Sequence, residues 1–211
     1  GTASVNVSVI TNHLTTVGDL EIIANTAITS QQINIDAALN YMGSTARTLT
    51  FVARNDLKVN QSIASSNSTL HVFVKAGDNI EVASGVSIAS NGGNIVFWAN
   101  TDGNNLGNIA VQPTTSIVSN GGGIWMGGGQ TTTQWVPFEG ATSITVGAAS
   151  AISGTANPFG VVIRGAVNAG TGNFYASGVS NKTGTDYSTG VFFDANSDNI
   201  IIQAKNIRVI G

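Results

Sequence analysis

A spaced triplet recurs along this chain: a large aliphatic residue, another two positions on, and an isoleucine six beyond that. It reads Leu20/Ile22/Ile28, Ile80/Val82/Ile88, Ile109/Val111/Ile117 and Ile144/Val146/Ile152, with a shortened copy at Leu57/Val59/Ile63 and a truncated one at Ile207/Val209. A small turn-former precedes each copy: Asp19, Asp56, Asn79, Asn108, Ser143 and Asn206. Upstream of the copies lies a second alternating segment: Leu49/Phe51/Ala53, Leu70/Val72/Val74, Ile95/Phe97/Ala99 and, more loosely, Ile124/Met126. Words repeat at the third position, as Ser62-Ile63-Ala64-Ser65, Ser87-Ile88-Ala89-Ser90 and Ser116-Ile117-Val118-Ser119. Alternation with period two marks strands, and a strand-and-turn unit recurring every 20–50 residues or so marks a solenoid. A β-sandwich also supplies short alternating strands, but it does not repeat the same words at the same corner.

The expected fold is therefore all-β: a parallel β-helix of about seven coils, three short strands per coil, with loop excursions at corners such as 100–108 and 127–142. At a strand spacing of ~4.8 Å, such a stack is a rod roughly 30–35 Å long. Residues 1–17, with Val5, Val7 and Val9 alternating, are expected to form a capping strand, and 18–211 a single β-helix domain. The opening Gly1-Thr2-Ala3 and the ending on Ile207, Val209 and Ile210 suggest a piece of a longer chain.

Composition narrows the function classes. Only 8 basic and 11 acidic residues occur among 211, with a net charge of −3; this balance cannot neutralise a phosphate backbone, so no nucleic-acid partner is expected. Charge-driven disorder is excluded by the wealth of Val and Ile. No apolar run approaches the ~18 residues that a transmembrane helix needs. The absence of cysteine removes disulfides and thiolate metal sites.

In the expected register, Glu21, Lys58 and Glu81 point outward with alternating sign, a solvated face. The other sheet differs: its outward columns read Thr50, His71, Val96, Trp125 and Val52, Phe73, Trp98, which are mostly apolar. Such a patch is either a contact surface or the seat of a folded-over excursion, for which Gln134-Trp135-Val136-Pro137-Phe138 is the apolar candidate. If open, Phe73, Trp98, Trp125 and Trp135 are the expected ligand-binding residues, stacking on sugar rings.

Words such as Thr48-Leu49-Thr50-Phe51-Val52-Ala53-Arg54-Asn55-Asp56-Leu57-Lys58-Val59, Ala76-Gly77-Asp78-Asn79-Ile80-Glu81-Val82, Ser90-Asn91-Gly92-Gly93-Asn94-Ile95-Val96-Phe97-Trp98 and Ser119-Asn120-Gly121-Gly122-Gly123-Ile124 carry a family resemblance. Over about residues 18–154 the chain resembles the repeat regions of filamentous-haemagglutinin-like and related β-strand-repeat bacterial surface adhesins. That resemblance implies a right-handed coil, export to the cell surface, and attachment to a host or environmental surface through glycan or protein. Asn157-Pro158-Phe159-Gly160 is similar, in altered form, to a motif of their secretion domains.

Catalytic chemistry finds few residues. The only histidines are His13 and His71, so a nucleophile triad has almost no base to draw on, and no zinc set forms without clustered carboxylates. A polysaccharide hydrolase or lyase needs carboxylates across a cleft; Asp186, Asp194 and Asp198 are the candidates, with Arg164 as the basic partner. Asp194, Asn196 and Asp198 also alternate like a calcium loop, but lack its glycine and closing glutamate; Asn100, Asp102 and Asn104 form a weaker version. Calcium is the one cofactor that the pattern suggests. Gly121–Gly123 and Gly127–Gly129 precede no Lys-Ser/Thr, so they read as corner turns rather than phosphate loops. The Thr131–Thr133 run does not stack from coil to coil as an ice-binding face must. A non-catalytic rod that presents an attachment surface is the leading expectation, with a carbohydrate-binding module and a glycan-active enzyme as rivals.

Overall fold

Stacking of the alternating segments produces three sheets in which all the strand pairings are parallel, a parallel β-helix. The computed structural model describes residues 4–24, 31–104, 106–129, 149–150, 159–180, 189–195 and 200–211. The one helix among the described residues, α1 (Val7–Thr16), comes first. Coil one follows as β1 (Leu20–Ala24), β2 (Ile33–Ile35) and β3 (Leu39–Tyr41). Coil two holds β4 (Arg47–Ala53), β5 (Leu57–Val59) and β6 (Ile63–Ser65); coil three holds β7 (Leu70–Ala76), β8 (Ile80–Val82) and β9 (Ser87–Ala89). Coil four is β10 (Ile95–Ala99), β11 (Ile109–Val111) and β12 (Ser116–Val118). Coil five begins with β13 (Ile124–Gly128), gains an extra β14 (Ala149–Ser150), and resumes as β15 (Val161–Ile163) and β16 (Ala166–Asn168). Coil six is β17 (Asn173–Val179), β18 (Val191–Phe193) and β19 (Ile202–Gln203), and β20 (Asn206–Ile210) opens a seventh.

The first strands of the coils form one sheet, β1-β4-β7-β10-β13-β17, with β14 and β20 also on β17. The second strands form the sheet β2-β5-β8-β11-β15-β18, and the third strands β3-β6-β9-β12-β16-β19. Inward residues then stack into dry columns: Leu49, Val72, Ile95, Ile124 and Phe174; Leu57, Ile80, Ile109 and Val161; Ile63, Ile88, Ile117 and Val167, all fully buried. At about 1.5–3 kcal/mol per fully buried aliphatic side chain, these columns are the main source of stability.

Register corrects the sequence reading in three places. Leu20 and Ile22 do not join the column of Leu57 and Val59; they pair with Leu49 and Phe51 in the first sheet. The true first copy is Ile33/Ile35/Leu39, which lies beneath Leu57/Val59/Ile63. The shortened spacing recurs at Val161/Ile163/Val167, so the two extra corner residues of coils three and four are the insertions. Ile207 and Val209 likewise pair with Phe174 and Ala176 in the first sheet. The fifth-coil copy at Ile144/Val146/Ile152 lies outside the described residues.

The cap is a helix, not a strand. Val5/Val7/Val9 alternate, yet Val7, Ile10 and Leu14 also share one helical face, and that face seals the end of the stack, with Ile10 and Leu14 buried. Asn6 caps the N-terminus by accepting from the Ser8 N–H at 2.9 Å. At the other end the Arg47 Nε donates to the Leu14 carbonyl at 2.7 Å, placing a cation where the helix carbonyls point.

Corners are held by a repeated device: a side chain of one coil accepts from a backbone N–H of the next. Asp56 Oδ1 takes the Asn79 N–H at 3.1 Å, and Asn79 Oδ1 takes the Asn108 N–H at 3.1 Å. Asn94 Oδ1 takes the Gly123 N–H at 2.9 Å, and Ser62 Oγ takes the Ser87 N–H at 3.0 Å. An Asp/Asn ladder therefore runs through the turn-formers Asp56, Asn79 and Asn108, whereas Asn206 Nδ2 donates to Asn173 Oδ1 in the first sheet. Gly122 is required by close approach: an added Cβ would lie 2.1 Å from the Gly93 carbonyl oxygen.

Candidate functional site

The first sheet carries one outward column along its whole length: Glu21, Thr50, Phe73, Val96, Trp125, Tyr175 and Arg208. The neighbouring column is Ile23, Val52, Lys75, Trp98 and Gly127. Coil three thus sits two residues from the alignment expected from sequence: His71 is level with Thr48, and Phe73 with Thr50.

At mid-sheet the outward residues form a second apolar cluster of Val96, Trp98 and Trp125, flanked by Phe73 and Tyr175. The two indoles lie with centroids 4.2 Å apart, tilted by 39°. Trp98 is 6% exposed and Trp125 is fully buried, so in this fold neither offers its ring to a ligand. The segment expected to cover this face, with Trp135, lies outside the described residues. Trp98 Nε1 donates to the Gly129 carbonyl at 2.8 Å, while the buried Trp125 Nε1 has no hydrogen-bond partner among the described residues. Lys75, beside this band, has its amine pushed down to about 8 by burial, with Glu21 acting in the opposite direction. His71 Nδ1 accepts from the Asn94 N–H at 3.0 Å, which makes His71 part of the corner ladder.

Phe73, at the foot of the band, is only half-buried and lines an open groove of about 420 Å³. Asp19, Leu20, Glu21, Thr48 and Thr50 complete the lining. Asp19 Oδ1 accepts from the Thr48 N–H at 2.9 Å, which fixes one carboxylate in the wall. Two carboxylates, two hydroxyls and an aromatic ring thus converge on rigid strands of coils one to three. Sequence reasoning singled out only Phe73 among them as a ligand-binding residue, because Leu20/Ile22 had been placed in the wrong sheet. A signal was present: Leu20-Glu21-Ile22-Ile23-Ala24 ends on alanine in its fifth place, as do Leu49–Ala53, Val72–Ala76 and Ile95–Ala99.

The catalytic candidates meet in part. Arg164 Nε donates to Asp194 Oδ2 at 2.8 Å, a half-buried ion pair at a corner of the second sheet. Arg164 also reaches Gln112 at 3.4 Å, and Gln112 donates to Glu81 at 3.0 Å, which itself faces Lys58 at 3.8 Å. Asp186, Asn196 and Asp198 lie outside the described residues, so the calcium loop and the carboxylate pair are represented by Asp194 alone. Among the described residues no three acidic, histidine or cysteine side chains converge as a metal-binding group. Near Asn100 and Asp102, the Asp78 carboxyl is raised by burial, with Asn104 opposing through a hydrogen bond and Asp102 and Asp56 adding repulsion. Phe159 stacks on Phe192 at 4.4 Å over the outward face of the second sheet, a packing role for that ring; Asn157 and Pro158 lie outside the described residues. No helix among the described residues is long and apolar enough to cross a membrane. Comparison with family models, curated proteins and solved structures finds no match for the chain.

Proposed function

We propose that this chain is a non-catalytic, rod-like segment of a secreted bacterial surface adhesin that holds out a surface for attachment to a host or environmental surface. The observation that carries this reading is the uninterrupted stack of three parallel sheets on dry aliphatic columns, a geometry suited to spacing and bearing load. The sequence resemblance to β-strand-repeat adhesins supplies the cell-surface setting. An enzyme of the glycan-active class is disfavoured by the Arg164–Asp194 pair, in which the cation and carboxylate already satisfy one another. A carbohydrate-binding module is the second reading, favoured by the mixed groove at Phe73. The test is binding of labelled protein to epithelial cells, extracellular matrix and a glycan array, run beside product analysis on the same glycans. Saturable attachment without turnover supports the reading; turnover abolished by Asp198→Asn, or by Asp194→Asn, replaces it with an enzyme, and no attachment to any surface overturns it.

A further inference from the structure

We propose that the groove lined by Asp19, Leu20, Glu21, Thr48, Thr50 and Phe73 is a subsite for one neutral pyranose unit of a glycan. The inference deepens the adhesive reading and rests on it. Its volume of about 420 Å³ falls in the roughly 300–1,000 Å³ range of small-ligand sites, which pair apolar wall with a few placed polar groups. Phe73 provides the apolar wall, suited to the C–H face of a sugar ring. Asp19 immediately precedes β1 and Glu21 lies on it two residues later, roughly 7 Å further along, so they can accept from hydroxyls at separate ring positions. Thr48 and Thr50, which both donate and accept, face them from the adjacent strand.

Preorganisation favours binding here. Asp19 is already held by the Thr48 N–H, Phe73 is wedged against the tryptophan cluster, and the groove floor is sheet rather than loop, so little ordering entropy remains to be lost. Charge sets the class. Two carboxylates in one small groove repel uronate or sulfated sugars, while charge-assisted hydrogen bonds to neutral hydroxyls gain strength. Glu21 is exposed, and its charge acts on the Lys75 amine in the neighbouring column.

The test is a titration of the isotopically labelled protein, following backbone amides, with malto-, cello-, manno- and N-acetylchito-oligosaccharides, and with oligogalacturonate as the acidic probe. The proposal expects a neutral oligosaccharide to give saturable shifts confined to residues 19–21, 48–50 and 73, with a Kd on the order of 1 mM or tighter. Glu21→Gln and Thr50→Val, both at solvent-facing positions, should weaken that binding about tenfold or more while leaving the thermal midpoint unchanged; Phe73→Leu should do the same if it folds. No shift with any neutral probe overturns the subsite, as does a stronger response to oligogalacturonate. Saturable shifts elsewhere on the rod overturn the groove but leave the adhesive reading intact. Shifts at the groove accompanied by oligosaccharide cleavage keep the groove and overturn the non-catalytic reading.

Discussion

Single residues show where local backbone chemistry is strained and where it is satisfied. The corner after β8 turns through Gly85 at φ +75°; the same corner one coil later turns through Thr114 at φ +60°. A β-branched residue in the left-handed region is strained by roughly 1–2 kcal/mol, and Thr114 is exposed, so its side chain contributes little packing. Thr114→Gly should therefore raise the unfolding free energy by about 1 kcal/mol, a gain of about 2–4 °C in thermal midpoint for a chain this size. Differential scanning calorimetry checks it. Lys75 gives a pH signature. The unfolded chain keeps its proton up to about 10.5, whereas the folded one releases it at about 8. Between those values the unfolded state binds more protons, so stability rises with pH across that window, and the penalty is fully present below it. Because the amine is only half-buried, solvent screening reduces the effect to about 1 kcal/mol. Lys75→Met should stabilise the fold by about that much at pH 7 and by almost nothing near pH 11, measured by urea titration at both values.

At the scale of elements, the α1 cap and the open end contrast. Unpaired coils are a sheet-edge hazard, and α1 removes it at the N-terminal end by laying Ile10 and Leu14 across the interior columns. At β20 the inward-facing Ile207 remains 53% exposed. Leu14→Ala should lower stability by about 2–4 kcal/mol through transfer loss plus the cavity left behind. Val9→Ala, on the solvent side of the same helix at 59% exposure, should change it by less than about 0.5 kcal/mol. Chemical denaturation of both variants separates a capping role for the helix from simple helical propensity. If the two substitutions cost the same, the helix is not a cap.

Across the whole molecule, stability is a sum of coil-on-coil contacts, so damage to one interior column acts on both neighbouring coils. Val82 lies between Val59 and Val111 and is fully buried. Val82→Asp places an unpaired charge there at a penalty of several kcal/mol, and loss of near-ultraviolet circular dichroism at 25 °C is the expected result. One position earlier, Glu81 faces solvent and Lys58. Glu81→Lys should reduce the unfolding free energy by less than about 1 kcal/mol, as exposed pairs do. Adjacent residues with such unequal effects are the direct test of which face points inward.

The sequence by itself determined the fold class, the strand faces and the identity of most core residues. Alternation decides which side chain points inward, and the repeated words at Ile63, Ile88 and Ile117 betray the coil. Tertiary structure decided the register and the sheet to which each strand belongs, because a slip of two residues preserves every face and so leaves no trace in the alternation. Hence Phe73 was set in Trp98's column when it stands level with Thr50 in the neighbouring one, and Glu21 was paired with Lys58 when it faces Thr50. The capping helix was hidden for a related reason: Val5, Val7, Val9 and Val7, Ile10, Leu14 are overlapping patterns, and only contact with the open columns selects the second. The groove at Asp19, Glu21, Thr48, Thr50 and Phe73 draws on three coils. It exists only once the coils are stacked, since no local pattern encodes residues brought together by their neighbours' packing.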